Sequence, residues 1–400
     1  MTQSPITQSP VAPEATASAE RVLTGARLVT PDRVMEGTLL IRDGRIADIS
    51  PGRSHAADAV DCEGDFLIPG LVELHTDTLE RHLQPRPGVD WPRRAAAAAH
   101  DAEFATQGVT TIFDAVRVGV LADYGVGDYA VEAIAAMDAL RDLGLLRADH
   151  FIHVRCEICA PTALSEFDAL GANPRIRLIS LMDHTIGQRQ FRDVAKFREY
   201  YLGKKGFSEQ ELQIFQEESR GYQRAYAGPN RAALAARARA IEAAGGVCVV
   251  AGHDDGARSD VAESLEAGAQ IAEFPTTLEA ARLSRQAGLK ILMGAPNLLR
   301  GLSHSGNVSA IDLAREGLVD ILSSDYAPSS LLLAAFKLAE ETDHSLPAAL
   351  AMVTATPAEA VRLPDRGALT PGLRADLARV YRAERLCATR GVWREGVRVC

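Results

Sequence analysis

The chain lacks the cysteine pairs that build a zinc ribbon. Its six cysteines (Cys62, Cys156, Cys159, Cys248, Cys387 and Cys400) are scattered. The single C-x-x-C, Cys156 to Cys159, has no second pair and lies in a strand-like run, which argues against a metal knuckle or dithiol redox role. Without a disulfide framework, a reducing compartment and a cytoplasmic location fit best. Long apolar runs are also missing, so no segment approaches the roughly 20 residues of a membrane span. Residues 1–18 have neither the basic start nor the apolar core of a signal peptide and read as a flexible tail. Positive charge is scarce: the net charge is −10. Bulk electrostatics therefore disfavour nucleic acid and anionic membranes, and an anionic ligand must be held by local Lys, Arg or metal. No Gly-x-Gly-x-x-Gly follows the first strand, which weakens the case for a doubly wound open sheet.

Four hundred residues suffice for a barrel and one accessory domain. Residues 19–64 and 366–400 read as short strands between Gly, Pro and Asp43-Gly44 turn signals. They predict one small β-sandwich built from both termini. Residues 65–365 alternate apolar strand runs (66–74, 110–116, 150–158, 177–183, 247–253, 270–275, 289–294, 320–324) with helical runs (93–107, 128–143, 230–244, 257–267, 278–287, 309–316). A Gly follows each helical run, as a helix C-terminus favours. Eight such units predict a (β/α)8 TIM-like barrel of parallel strands, an α/β fold. Residues 185–229 are too long for a connection and carry Arg189, Arg192, Lys196, Arg198, Lys204 and Lys205. They read either as a cationic lid or as a solvated helical hairpin.

Barrel active sites lie at the C-terminal strand ends, and here those ends are rich in ligands. The first run ends in His75-Thr76-Asp77, and strand alternation points His75 and Asp77 to one side. Taken alone, that pair is equally a polar strand end meeting water. Later ends add Asp114, then His153, Arg155 and Glu157, then Asp183-His184, then His253-Asp254-Asp255, then Asp325. Imidazole and carboxylate suit Zn, with Mn or Fe as alternatives. Two divalent metal ions need a bridging carboxylate and several terminal ligands. Glu157 is the expected bridge, His75 and Asp77 bind one ion, and His184 and His253 the other. Asp325 completes the first site and is the expected catalytic proton acceptor.

His75-Thr76-Asp77 after Pro69-Gly70-Leu71-Val72, followed by His184, His253 and Asp325, resembles the amidohydrolase superfamily. That resemblance implies a binuclear metal barrel flanked by a β-sandwich. Its commonest pattern has His-x-His on the first strand, a carboxylated Lys where Glu157 stands, and these later ligands one strand further on. The offset leaves room for an additional short strand between 117 and 149. Longer motifs narrow the resemblance: residues 75–89 (HTDTLERHLQPRPGV), 183–191 (DHTIGQRQF), 252–255 (GHDD), 273–277 (EFPTT) and 303–309 (SHSGNVS). Together they resemble the phosphonate-metabolism branch of the superfamily. This implies a hydrolase that converts alpha-D-ribose 1-methylphosphonate 5-triphosphate to the 5-phosphate and pyrophosphate in the carbon–phosphorus lyase pathway.

A triphosphate needs clustered cations. Arg81, Arg86, Arg93, Arg94 and Arg117 follow the first two strands, and Arg189, Lys204 and Lys205 lie in the long connection. His82 and the loop carrying Ser303, His304, Ser305 and Asn307 are further candidates for the phosphorylated sugar substrate. His55 and His100 read as surface residues. Two other readings stand beside this one: a cyclic amide hydrolase or deaminase, and a metal-free barrel acting as a binding scaffold. The oligomeric state, a homo-oligomer included, is left open.

Overall fold

The apolar run that opens at Phe66 serves two sheets rather than one. The computed structural model describes residues 20–86, 88–121, 129–189, 202, 207–301 and 307–400. Within it, Phe66–Pro69 pairs with Arg27–Leu28 on one side and with residues 377–380 on the other. The chain then turns at Gly70 and continues as Leu71–Thr76 in a separate parallel sheet. Sequence alternation cannot mark this break, because both halves are fully buried. Glycine permits it: a Cβ on Gly70 would stand 2.2 Å from Thr110 Oγ1.

The first sheet has eight strands from both ends of the chain. Arg21–Val29, Val34–Arg42 and Arg45–Pro51 form a meander, and Leu377–Ala383 with Leu386–Arg394 continues it beyond Phe66–Pro69. The Asp43-Gly44 turn has φ +50° and +73°, the pair of positive values that a type I′ hairpin requires. The sheet curls, so that Ile46 N meets Leu373 O at 2.9 Å and Ala375 N meets Gly44 O at 2.9 Å. Leu23, Leu39, Ile41, Leu67, Leu377 and Trp393 fill the fold so made.

The second sheet is the barrel. Its eight strands pair in chain order: Leu71–Thr76, Val109–Val118, Asp149–Glu157, Ile176–Met182, Val249–His253, Ile271–Glu273, Lys290–Gly294 and Ile321–Ser323. All eight predicted strands are present. Between 117 and 149 the described residues contain a helix, Ala130–Asp142, and no additional strand. Helices cover the outside, and Gly108 and Gly288 follow two of them at φ +87° and +82°. The seam between the last and first strands is closed locally at the ligand-rich end. Asp77 N donates to Asp325 O and Asp325 N to His75 O, both at 3.1 Å. Beneath them the Glu73 carboxylate accepts from His75 N at 2.7 Å, Ser323 Oγ at 2.8 Å and Ser324 N at 2.7 Å.

The long connection departs from expectation. A helix was expected from 230, because Gly228-Pro229-Asn230 reads as a start signal. The helix instead runs Glu209–Ala243 with Pro229 inside it. Ser208 and Glu211 cap its true start, Glu211 N donating to Ser208 Oγ at 3.2 Å and Ser208 N to Glu211 Oε2 at 2.7 Å. Asn230 Nδ2 donates to Ile158 O and Ala160 O, each at 2.9 Å, and so ties the helix beside the proline to the loop that follows the third strand. Among the described residues no helix is long and apolar enough to cross a membrane. The tail 1–18 and the cations Arg192, Lys196, Arg198, Lys204 and Lys205 lie outside the described residues.

Replacing Gly70 with Ala should lower the unfolding temperature, since the new methyl group must displace Thr110. Overpacking of this kind costs about 1–3 kcal/mol. Thermal unfolding of the variant beside the parent protein checks this, and an unchanged midpoint would contradict the crossing described.

Candidate metal centre

Glu273 ends the sixth barrel strand and is completely buried. Its Oε1 lies 2.7 Å from His75 Nδ1 and its Oε2 lies 2.6 Å from His253 Nδ1. A carboxylate accepts only, so both Nδ1 atoms donate to Glu273 and both Nε2 atoms point away from it. Ser180 Oγ donates to Oε2 at 2.6 Å. Burial favours neutral imidazole, but the carboxylates outweigh it. Glu273 raises His75 to about 10, and Asp254 with Glu273 raises His253 to about 9. The two rings stack at 5.7 Å between centroids with 19° between their planes.

Two donor groups form around this pair. In the first, His75, Asp77 and Asp325 bring donor atoms within 4.8 Å of one another, with His75 Nε2 3.6 Å from Asp77 Oδ1. In the second, His184, His253 and Asp254 do the same. There Asp254 Oδ2 lies 3.2 Å from His253 Nε2 and 4.0 Å from His184 Nε2. This Oδ2 is buried and has no hydrogen-bond partner. An orphaned carboxylate oxygen facing two imidazole Nε2 atoms fits a divalent cation. Burial, with Asp77 nearby, pushes Asp325 up to about 7. Burial would raise Asp77 too, but the Arg155 guanidinium holds it well below the usual carboxylate range.

Backbone geometry aims these carboxylates. Asp254 and Asp325 each follow a strand at φ +56° and +53°, a left-handed conformation that Gly, and less often Asn or Asp, adopts. Each is fixed by the neighbouring strand: Asp254 N donates to Glu273 O at 2.9 Å, as Asp325 N does to His75 O at 3.1 Å.

The structure thus brings His75, Asp77, Asp325, His184 and His253 to one cavity of about 240 Å³, and adds Asp254. Glu157 is placed differently. Its Oε2 accepts from His184 Nδ1 at 2.6 Å and its Oε1 from His184 N at 3.3 Å. It stands behind His184 and not between the two groups, so in place of the expected bridge it is a carboxylate that orients the His184 ring.

The expected phosphate ligands also separate. The short helix Thr78–Leu83 turns its polar groups to docking: Arg81 and His82 both bind Glu103, Glu80 binds Arg117 and Tyr129, and Thr78 meets His100. His100 is fully buried, against the expectation of a surface residue. Its Nε2 donates to Asp114 Oδ1 at 2.8 Å, and Asp114 also holds His150 at 2.9 Å. Arg189 is buried too, donating to His253 O at 3.0 Å and to Asp255 and Glu263. It props the loop that carries His253. Asn307 lines the cavity, whereas Ser303, His304 and Ser305 lie outside the described residues, as Lys204 and Lys205 do. The cavity wall carries two arginines that were not assigned from the sequence, Arg155 and Arg300.

No family model matches the chain. It is 44% identical over 381 residues to alpha-D-ribose 1-methylphosphonate 5-triphosphate diphosphatase of Escherichia coli (strain K12), a match covering 94% of this chain and 100% of that one. The chain belongs to this diphosphatase family. Solved structures share this chain's fold at low identity. A 5-methylcytosine deaminase from Klebsiella pneumoniae superimposes with TM-score 0.61 at 16% identity, over 95% of this chain and 99% of that one. N-acetyl-D-glucosamine-6-phosphate deacetylase from Mycobacterium smegmatis does so with 0.60 at 18%, over 95% and 100%. The two donor groups have the residue types and spacing that could hold divalent metal ions.

Two results should follow. Glu273→Gln replaces an acceptor oxygen with a donor amide facing an imidazole N–H, so metal affinity should fall roughly 10–100-fold. Chelator competition measures it, and unchanged affinity would remove Glu273 from the centre. Metal uptake should also release protons near neutral pH, because His75 and His253 titrate at about 10 and about 9 without metal and bind metal only when Nε2 is bare. Affinity should therefore rise with pH. Calorimetry in buffers of different ionisation enthalpy checks this; no proton release would contradict it.

Proposed function

We propose that this protein hydrolyses alpha-D-ribose 1-methylphosphonate 5-triphosphate to the 5-phosphate and pyrophosphate, with two divalent ions held by His75, Asp77 and Asp325 and by His184, His253 and Asp254. The near-complete match to the diphosphatase of Escherichia coli carries this reading, and the paired donor groups support it. The all-nitrogen and oxygen donor set suits zinc best, with Mn or Fe as alternatives. When bound, the ions lower the pKa of a water and polarise a phosphoryl oxygen.

The chain's own residues do the rest. Glu273 and Glu157 hold three imidazoles with their Nε2 atoms facing the cavity. Asp325, raised to about 7 and reached from the seam, accepts the proton of the attacking water. Arg155 and Arg300 supply positive charge to a cavity whose wall also carries the carboxylates of Asp77, Asp254 and Asp325. Oxygen from water bonds to phosphorus, the phosphoanhydride bond breaks, and its electron pair leaves with pyrophosphate. The substrate is a small phosphorylated sugar, and buried thiols fit a cytoplasmic enzyme.

A cyclic amide hydrolase or deaminase would use the same barrel. Partial matches to an L-hydantoinase and to dihydroorotases cover only 17–22% of this chain, and a neutral ring has little use for two arginines in the cavity wall. Incubating the metal-loaded protein with the ribosyl triphosphate should release pyrophosphate; ammonia or ring-opened product from cyclic amides, with no pyrophosphate, would reverse the assignment. Asp325→Asn should cut turnover by about 100-fold or more, as loss of a general base does, while His75 and Asp77 retain metal. Full activity in that variant would refute the role.

A further inference from the structure

Arg117 and Arg189, near the ligand-bearing strand ends, have their donors engaged. Arg117 gives Nε and Nη2 to Glu80, each at 2.7 Å. Arg189 divides its guanidinium among His253 O, Asp255 and Glu263. Arg155 is different. It lies on the third barrel strand, paired with Arg117 on one side and Ser180 on the other. Its side chain is 10% exposed and lines the cavity. Nη1 binds Asp77, and Nε is buried with no hydrogen-bond partner. Asp77 is its one hydrogen-bonded partner among the described residues.

A guanidinium carries five N–H donors in a fixed fork. Leaving donors unpaired at this depth is costly unless a ligand completes them. If neutralising Asp77 were the whole purpose, a two-pronged pair like that of Arg117 with Glu80 would serve better. The one-pronged contact instead leaves Nη2, like Nε, with no hydrogen-bonded partner among the described residues. Asp77 Oδ1 also lies 3.6 Å from His75 Nε2, so Arg155 stands at the edge of the first donor group. Its position is fixed by the strand rather than by a mobile loop.

We infer that Arg155 is a direct ligand of the substrate's polyphosphate chain, giving its unused N–H groups to phosphate oxygens while Nη1 remains on Asp77. The inference rests on the pyrophosphate-releasing reading above. Two adjacent oxygens on one phosphorus match the fork, and a cyclic amide, with one carbonyl oxygen, does not. Because the cation is preset, it counters the charge on phosphate oxygens without rearranging during the reaction. Arg155 thereby helps choose phosphoanhydrides over the amide substrates that the same fold accommodates.

The test uses the metal-loaded protein in a buffered excess of metal ion, with pyrophosphate as the probe. Arg155→Met should weaken pyrophosphate binding, read by calorimetry, by about 10–100-fold, as loss of charge-assisted hydrogen bonds does. Arg155→Lys keeps the charge without the fork and should fall between the two. Added guanidinium ion should partly restore turnover to the Met variant. Unchanged pyrophosphate affinity in the metal-saturated Met variant, with no guanidinium rescue, would reduce Arg155 to a partner of Asp77 and overturn the inference. Should the Met variant not fold, the Lys variant decides: affinity equal to the parent's overturns the inference. If the parent protein itself releases no pyrophosphate, the functional reading has failed rather than this assignment.

Discussion

The centre depends on one buried carboxylate. Glu273 accepts an N–H from His75 and another from His253, and in doing so turns two imidazoles on different strands into a matched pair. Each ring alone has two tautomers and freedom to rotate. The shared acceptor removes both, and the stacked rings then divide the rim into two donor groups facing one cavity. Remove Glu273 and the His75 and His253 rings lose the shared acceptor that fixes their orientation.

A second layer of the same logic surrounds the first. Glu157 orients His184 as Glu273 orients the other two rings. Glu73 binds backbone and hydroxyl donors across the seam where the last strand meets the first, and so sets the distance between His75 and Asp325. The polar residues of Thr78–Leu83 lock the helix that follows Asp77. Much of the charge near this rim therefore positions other groups and does not meet the substrate.

That distinction marks what the sequence could and could not disclose. Eight strands and the His or carboxylate at their ends were legible, because burial on both faces demands apolar runs and polar residues stand out where the runs stop. Asp254 went unassigned because it adjoins His253, and alternation assigns neighbours to opposite sides; its left-handed backbone cancels that rule. Glu273 stood in a recognised motif without a role, since its two partners lie 198 and 20 residues away in sequence. Arg81 and Arg189 were read as phosphate ligands because a charge count cannot separate an engaged guanidinium from an available one. His100 lies on an alanine-rich helix, Arg93–Thr106, whose small side chains give too little contrast to show which face is buried.

The crossing at Gly70 gives the sheet built from the two termini a mechanical role. The strand that carries His75 begins one residue after a strand clamped between residues 27–28 and 377–380 of that other sheet. At its far end the same strand is clamped to the loop bearing Asp325. His75 thus sits on a beam fixed at both supports, not on a cantilever. The terminal sheet acts as the abutment for that beam, which is why a segment remote from the chemistry is stitched so closely into the barrel's first strand.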